Sequence, residues 1–60
     1  MKIIAPGYIV RGHVCGVFVV LGMRTIDGEE GAQLKAVNPA NHNQMAPGEL
    51  WLPLTALIPV

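Results

Sequence analysis

Short apolar segments are separated by glycine- and proline-containing breaks along the whole chain, and this spacing predicts β-strands. The segments are four to ten residues long and rich in Val, Ile and Leu, as is typical of small sandwiches and barrels. Seven glycines and five prolines in 60 residues leave no room for long helices. The breaks fall at Pro6-Gly7, Gly12 to Gly16, Asp27-Gly28 to Gly31, Asn38-Pro39, Pro47-Gly48 and Pro53.

Five strands and one 3₁₀ turn account for these segments, so we expect one all-β domain over residues 1–60. The segment Leu54 to Leu57 follows Pro53 and is too short for a stable α-helix, which predicts the 3₁₀ turn. Pro59 indicates an edge position for the last strand, because proline has no N–H to donate. The predicted strands are roughly Tyr8 to Arg11, Gly16 to Thr25, Ala32 to Val37, Glu49 to Leu52 and Ile58 to Val60.

Two connections differ in character. The charged stretch from Asp27 to Gly31 predicts a tight, solvated hairpin turn. The stretch from Asn38 to Gly48 has eleven residues, three of them Asn. A loop of that length in so small a domain is expected to be mobile or functional.

The order of these elements resembles that of the SH3-like small β-barrels of bacteria and their mobile elements. The most specific piece is Leu52-Pro53-Leu54-Thr55-Ala56-Leu57-Ile58, which is similar to the end of such barrels, where a 3₁₀ turn joins the last two strands. The resemblance implies a five-stranded SH3-like barrel with a 3₁₀ turn before the last strand. It implies little about function, because small barrels serve many unrelated activities.

Among these barrels are the plasmid-encoded type II dihydrofolate reductases, short chains that form a tetramer with the active site in a central pore. Their Pro-Val-Ala-Ala-Leu segment is similar to Pro53-Leu54-Thr55-Ala56-Leu57, and Gly7, Val10 and Arg11 resemble part of their first strand. Before the proline, however, that family carries Val-Gln-Ile-Tyr, which contacts cofactor and folate, whereas this chain has Glu49-Leu50-Trp51-Leu52. The resemblance therefore implies the fold and oligomerisation, and it carries over no catalytic residue.

Charge and hydropathy exclude some classes of protein. Four Lys/Arg and four Asp/Glu give a formal net charge of zero, which disfavours nucleic-acid binding without removing it. The longest apolar run, Val14 to Met23, is about half of a membrane span, and Pro6-Gly7 interrupts the N-terminal apolar residues, so we expect neither a membrane segment nor a signal peptide. The single cysteine, Cys15, favours a cytoplasmic location and leaves self-association as the source of extra stability.

His13 and Cys15 are the side chains best suited to bind a metal ion or to form a nucleophilic pair. Two residues apart in an extended segment, they share one face, as a metal site or a Cys/His nucleophilic pair requires. Zinc needs four ligands, and only His42 and a carboxylate remain, so a site shared across an oligomer interface is the one version we retain. The simpler interpretation is a packed Cys15 and a solvated His13. With no phosphate-binding glycine motif either, the sequence assigns no catalytic residue, cofactor or metal.

Some apolar residues are predicted to face outward. From Val17 to Leu21 both faces of the strand are apolar, although a barrel needs only one. If Leu50 and Leu52 point inward, Trp51 points outward. Aromatic residues with few charges nearby are typical of interface centres. The alternative is that Trp51 and Phe18 cover the open ends of the barrel within one chain.

The sequence thus predicts a small self-associating binding or adaptor module with an outward apolar and aromatic surface. We expect a homo-oligomer, either a dimer or a tetramer, and a further protein partner is compatible with the same surface. Arg24 and Lys35 are expected as cross-strand neighbours beside Trp51. Two alternatives remain: an oligomeric pore-type enzyme resembling type II dihydrofolate reductase, and a weak nucleic-acid-binding barrel. The predicted interface residues are Trp51, Phe18, Val20, Arg24, Lys35 and His42.

Overall fold

Five antiparallel strands form a single sheet in a computed structural model that describes residues 3–14, 16–45 and 48–60. The sheet order is β4-β3-β2-β1-β5, so β4 and β5 are its open edges. The all-β class and the 3₁₀ turn before the last strand are confirmed. The elements are β1 (Ile9–Gly12), β2 (Val17–Ile26), β3 (Glu29–Ala36), β4 (Leu50–Pro53), the 3₁₀ turn (Leu54–Ala56) and β5 (Leu57–Pro59).

Strand β2 is the central element, because it pairs with β1 at its start and with β3 along most of its length. Val20 pairs with Leu34, but the next pair is Gly22 with Gln33. Leu21 is therefore an extra residue, a β-bulge, and it reverses the alternation of side chains along the strand. Before the bulge the even-numbered residues face the core, and after it they face away.

The hairpin between β2 and β3 is tighter than predicted. Asp27 and Gly28 both have positive φ, 52° and 80°, as a two-residue type I′ turn requires. Two residues therefore complete the turn, and β3 begins at Glu29 rather than at the predicted Ala32.

The core lies on one face of the sheet, and we call the opposite face the outer face. Every strand contributes side chains to the core: Phe18 packs from β2 and Leu52 from β4, and Leu54 packs from the 3₁₀ turn. Leu57, predicted to end the 3₁₀ turn, instead begins β5 and is buried. The buried apolar residues are Val10, Val20, Ala32, Leu34, Val37 and Leu57.

Candidate functional site

The side chain of Trp51 lies on the outer face. On β4, Leu50 pairs with Leu34 and Leu52 pairs with Ala32, and both partners are buried in the core. Trp51 lies between them in sequence and pairs with Gln33. Because side chains alternate across a strand, Trp51 points away from the core, as the sequence predicts.

The indole of Trp51 crosses the sheet from β4 over β3 to β2. A Cβ atom at Gly31 would overlap Cε2 and Cζ2 of the indole, so the ring lies directly on the backbone of Gly31. Beyond Gly31, the Nε1–H of Trp51 donates a hydrogen bond to the carbonyl oxygen of Arg24 at 3.0 Å. The ring is thus fixed at both ends, with one side against the sheet, and Trp51 is half-buried.

Two cationic residues flank Trp51 on the outer face. Arg24 pairs with Gly31, under the indole, whereas Lys35 pairs with Val19. The prediction that Arg24 and Lys35 are cross-strand neighbours is therefore wrong. Arg24 follows Val19, the partner of Lys35, by five residues of β2, one of which is the bulged Leu21. It therefore lies opposite Gly31, four residues of β3 or about 13 Å from Lys35.

The floor between the two cations is formed by Gly22 and Gln33, which pair with each other. An added Cβ at Gly22 would meet no atom within 4 Å, so this part of the outer face is open. Sequence reasoning missed both residues and Gly31, because only the pairing register places them beside Trp51. We call the following set the Trp51 surface: Gly22, Arg24, Gly31, Gln33, Lys35 and Trp51.

Phe18 and Val20 do not belong to this surface. Val20 is 1% exposed and lies in the core, and Phe18 packs against the same cluster and pairs with Val10. Their side chains lie on the opposite face from Trp51. In the part of β2 before the bulge, the apolar side chains on the outer face are instead those of Val17 and Val19, both half-buried. A run that is apolar at every position gives no alternation from which the two faces could be told apart.

His42 lies in the Asn-rich loop after β3, and its side chain is exposed. The first part of this loop is held by hydrogen bonds: the N–H of Asn38 donates to the oxygen of Asn43 at 2.8 Å, and the N–H of His42 donates to the oxygen of Asn38 at 2.7 Å. Val37 and Gln44 form an isolated bridge at its base. His42 has a φ of 61°, so it occupies the left-handed position of a tight turn. Residues 46 and 47 of the predicted loop lie outside the described residues.

A cleft of about 160 Å³ is lined by the end of β1 and the two residues after it, together with Leu52 and Ala56. The N–H of His13 donates to the oxygen of Ala56 at 3.1 Å, which attaches this segment to the 3₁₀ turn. Leu52 belongs to the core face, so the cleft does not adjoin the indole of Trp51. The lining residues are Gly12, His13, Val14, Leu52 and Ala56.

The structure describes only part of the predicted site formed by His13, Cys15 and His42. Cys15 lies outside the described residues. Among residues 3–14, 16–45 and 48–60, no group of three or more His, Cys, Asp or Glu side chains is arranged to hold a metal ion. Within the same ranges no helix has the length and apolar character needed to cross a membrane.

A scan against protein-family models and searches of curated proteins and of solved structures each returned no match.

Proposed function

We propose that this protein is a small binding module that acts through the Trp51 surface and associates with copies of itself. The observation that carries the proposal is the fixed, outward position of Trp51, held on Gly31 and bonded to the Arg24 carbonyl. Ordering an aromatic side chain before a partner arrives lowers the entropic cost of binding. Tryptophan and arginine are also the residues that most often dominate binding energy.

Self-association is the second part of the proposal, and apolar exposure supports it. Among the described residues, nine large apolar side chains are exposed, against six apolar residues in the buried core. Three of the nine, Tyr8, Leu21 and Met23, are 40% to 50% exposed and lie near the bulge of β2. Leu21 is the bulged residue, Met23 is two residues after it and pairs with Ala32, and the N–H of Val20, just before the bulge, donates to the oxygen of Tyr8. We call Tyr8, Leu21 and Met23 the apolar rim. Burial of such side chains against a second copy removes them from water.

The sheet edges are poor sites for this association. Strands β4 and β5 end in Pro53 and Pro59, and proline interrupts the row of N–H donors that edge-to-edge pairing requires. Association through side chains of the apolar rim avoids that obstacle.

We also propose that the open sheet curls into the SH3-like barrel that the sequence resembles. In its support, β1 pairs with both β2 and β5, and a bulge bends β2. Nuclear Overhauser contacts between side chains of β4 and β5 test closure, and their absence would leave an open sheet. A cytoplasmic location and the pore-type reductase stay predictions; the latter is tested by titration with NADPH.

Solution mass and tryptophan emission, measured together over a concentration series, test the proposed function. Trp51 is the only tryptophan of the chain, so its emission reports on the Trp51 surface alone. We expect a dimer or tetramer that persists on dilution, with emission that does not change with mass because the apolar rim is a separate surface. A monomer at every concentration contradicts self-association, and an emission change that follows the mass shows that copies contact each other through Trp51.

A further inference from the structure

We propose that the Trp51 surface binds single-stranded nucleic acid, with a base stacked on the outward face of the indole and phosphates near Arg24 and Lys35. This inference rests on the proposed function, since it names the partner of the same surface. It follows from three features of the surface: a fixed aromatic ring, two flanking cations and an open floor.

The first feature is the orientation of the ring. Because the indole lies on Gly31 and its Nε1–H is bonded to the Arg24 carbonyl, one face is covered by the sheet and the other is directed away from it. Stacking on a nucleobase needs one free π-face in a fixed orientation, and it tolerates any base. The covered face and the occupied N–H leave stacking as the main interaction open to this side chain.

The second feature is the distribution of charge. The protein has a net charge of zero, yet Arg11, Arg24 and Lys35, which are all the arginine and lysine residues within the described ranges, lie on the outer face. Arg24 and Lys35 bracket Trp51 along the sheet. Two acidic residues lie at the ends of this surface. Glu29 pairs with Ile26 next to the turn, beyond Arg24, and the exposed Glu49 precedes Leu50, the partner of Leu34, so it lies beside Lys35. Cations on both sides of a stacking ring match the alternation of bases and phosphates along a single strand.

The third feature is the floor beside the ring. Gly22 offers no side chain, and the space above it is open to 4 Å. Its partner Gln33 is also the partner of Trp51, and a glutamine amide donates and accepts hydrogen bonds, as the edge of a base requires. An extended ligand that crosses from Arg24 to Lys35 meets no obstructing side chain at Gly22.

Charge also argues against a second copy as the occupant of this surface. A two-fold contact centred on Trp51 would bring the same patch of both copies together. The Arg24 and Lys35 side chains of one copy would then approach those of the other, and like charges across an interface oppose association. An anionic partner would instead be attracted to the Arg24 and Lys35 side chains.

The experiment uses two substitutions at one position, Gly22→Lys and Gly22→Glu. Both add a long side chain where there is space, and Gly22 is not among the glycines with positive φ, so the two variants differ mainly in charge. Binding is measured by anisotropy of a labelled oligothymidylate of roughly ten nucleotides, within the site sizes known for single OB-fold domains, at low and high salt. The matched control pair is Val14→Lys and Val14→Glu, at a side chain that is 97% exposed and outside the Trp51 surface.

We expect the single strand to bind the wild type at low salt and to quench Trp51 emission, with a slope of about −1.4 in log affinity against log salt for two phosphate contacts. Gly22→Lys strengthens binding and Gly22→Glu weakens it, with on the order of tenfold between them, while the Val14 pair differs by much less. Trp51→Leu weakens binding about tenfold through lost stacking.

Three results overturn the inference. If no oligonucleotide binds at low salt, the inference that the partner is nucleic acid is wrong. The proposed function still stands, with a different partner, provided the solution mass shows self-association. Equal weakening of self-association by both Gly22 variants, with Trp51 emission following the mass, assigns the surface to a second copy. Equal changes in the Gly22 and Val14 pairs show a diffuse charge effect that does not involve the Trp51 surface.

Discussion

The indole of Trp51 occupies the space that a Cβ atom at Gly31 would need. This contact links two strands on the outer face, and it explains why Gly31 is buried although it lies on the side of the sheet away from the core. A glycine in a strand often marks a close approach of another group. Here that group is an aromatic ring with its N–H bonded one strand further on, to the Arg24 carbonyl.

Gly31→Ala is expected to destabilise the protein by about 1–3 kcal/mol, because an added methyl group in a packed site forces its neighbours to move. The Leu52 carbonyl oxygen lies only 2.5 Å from the point that the methyl carbon would occupy. The methyl group would therefore have to displace the backbone of β4 as well as the indole. Gly22→Ala is the matched control, with nothing within 4 Å, and it is expected to be neutral or stabilising. Urea denaturation of both variants measures the difference, and equal midpoints would contradict the contact.

Comparison of Trp51→Phe with Trp51→Ala separates the contribution of the indole hydrogen bond to stability from that of the ring. The Phe variant loses the bond to the Arg24 carbonyl, at a cost of about 0.5–1.5 kcal/mol. The Ala variant also loses the half-buried ring and is expected to cost about 1 kcal/mol more, while the protein stays folded by circular dichroism. Complete unfolding of Trp51→Ala would show that Trp51 is a structural residue and would remove the proposed binding role.

Alanine substitutions at Gly7 and Gly16 separate the effect of backbone strain on stability from the effect of a side-chain contact. Both have positive φ, 95° and 88°, but only Gly16 has a neighbour: its added Cβ would lie 2.8 Å from Cζ of Phe18. Gly7→Ala therefore adds the left-handed penalty alone, about 1 kcal/mol, and Gly16→Ala is expected to lose about 1 kcal/mol more through displacement of Phe18 from the core. Thermal denaturation of the two variants gives the comparison, and an equal loss would mean that Phe18 repacks freely.

Met23→Lys is expected to shift the solution mass toward the monomer, because it places a charge within the apolar rim, where a second copy would desolvate it. Val14→Lys carries the same change at an exposed residue outside the apolar rim, so it is expected to keep the wild-type mass. Light scattering at matched concentrations measures both. Unchanged mass in Met23→Lys, with the wild type oligomeric, would place the interface elsewhere.

The sequence by itself was sufficient for the strands and for the direction of Trp51. Glycine and proline breaks delimited all five segments to within a few residues, because turns need the conformations that these two residues provide. The 3₁₀ turn after Pro53 followed from the same reasoning. The alternation of Leu50, Trp51 and Leu52 put the indole on the outer face, since β4 has no irregularity that would change its alternation.

Only the tertiary structure decided which residues accompany Trp51. Without the bulge at Leu21, Arg24 would share the parity of Val20 and face the core; with it, Arg24 lies on the outer face opposite Gly31. The uniformly apolar run from Val17 to Leu21 gives no sign of this reversal, and for the same reason Phe18 and Val20 were predicted on the wrong face. Side-chain alternation is a local property of an uninterrupted strand, whereas a bulge is set by the pairing of two strands that are distant in sequence.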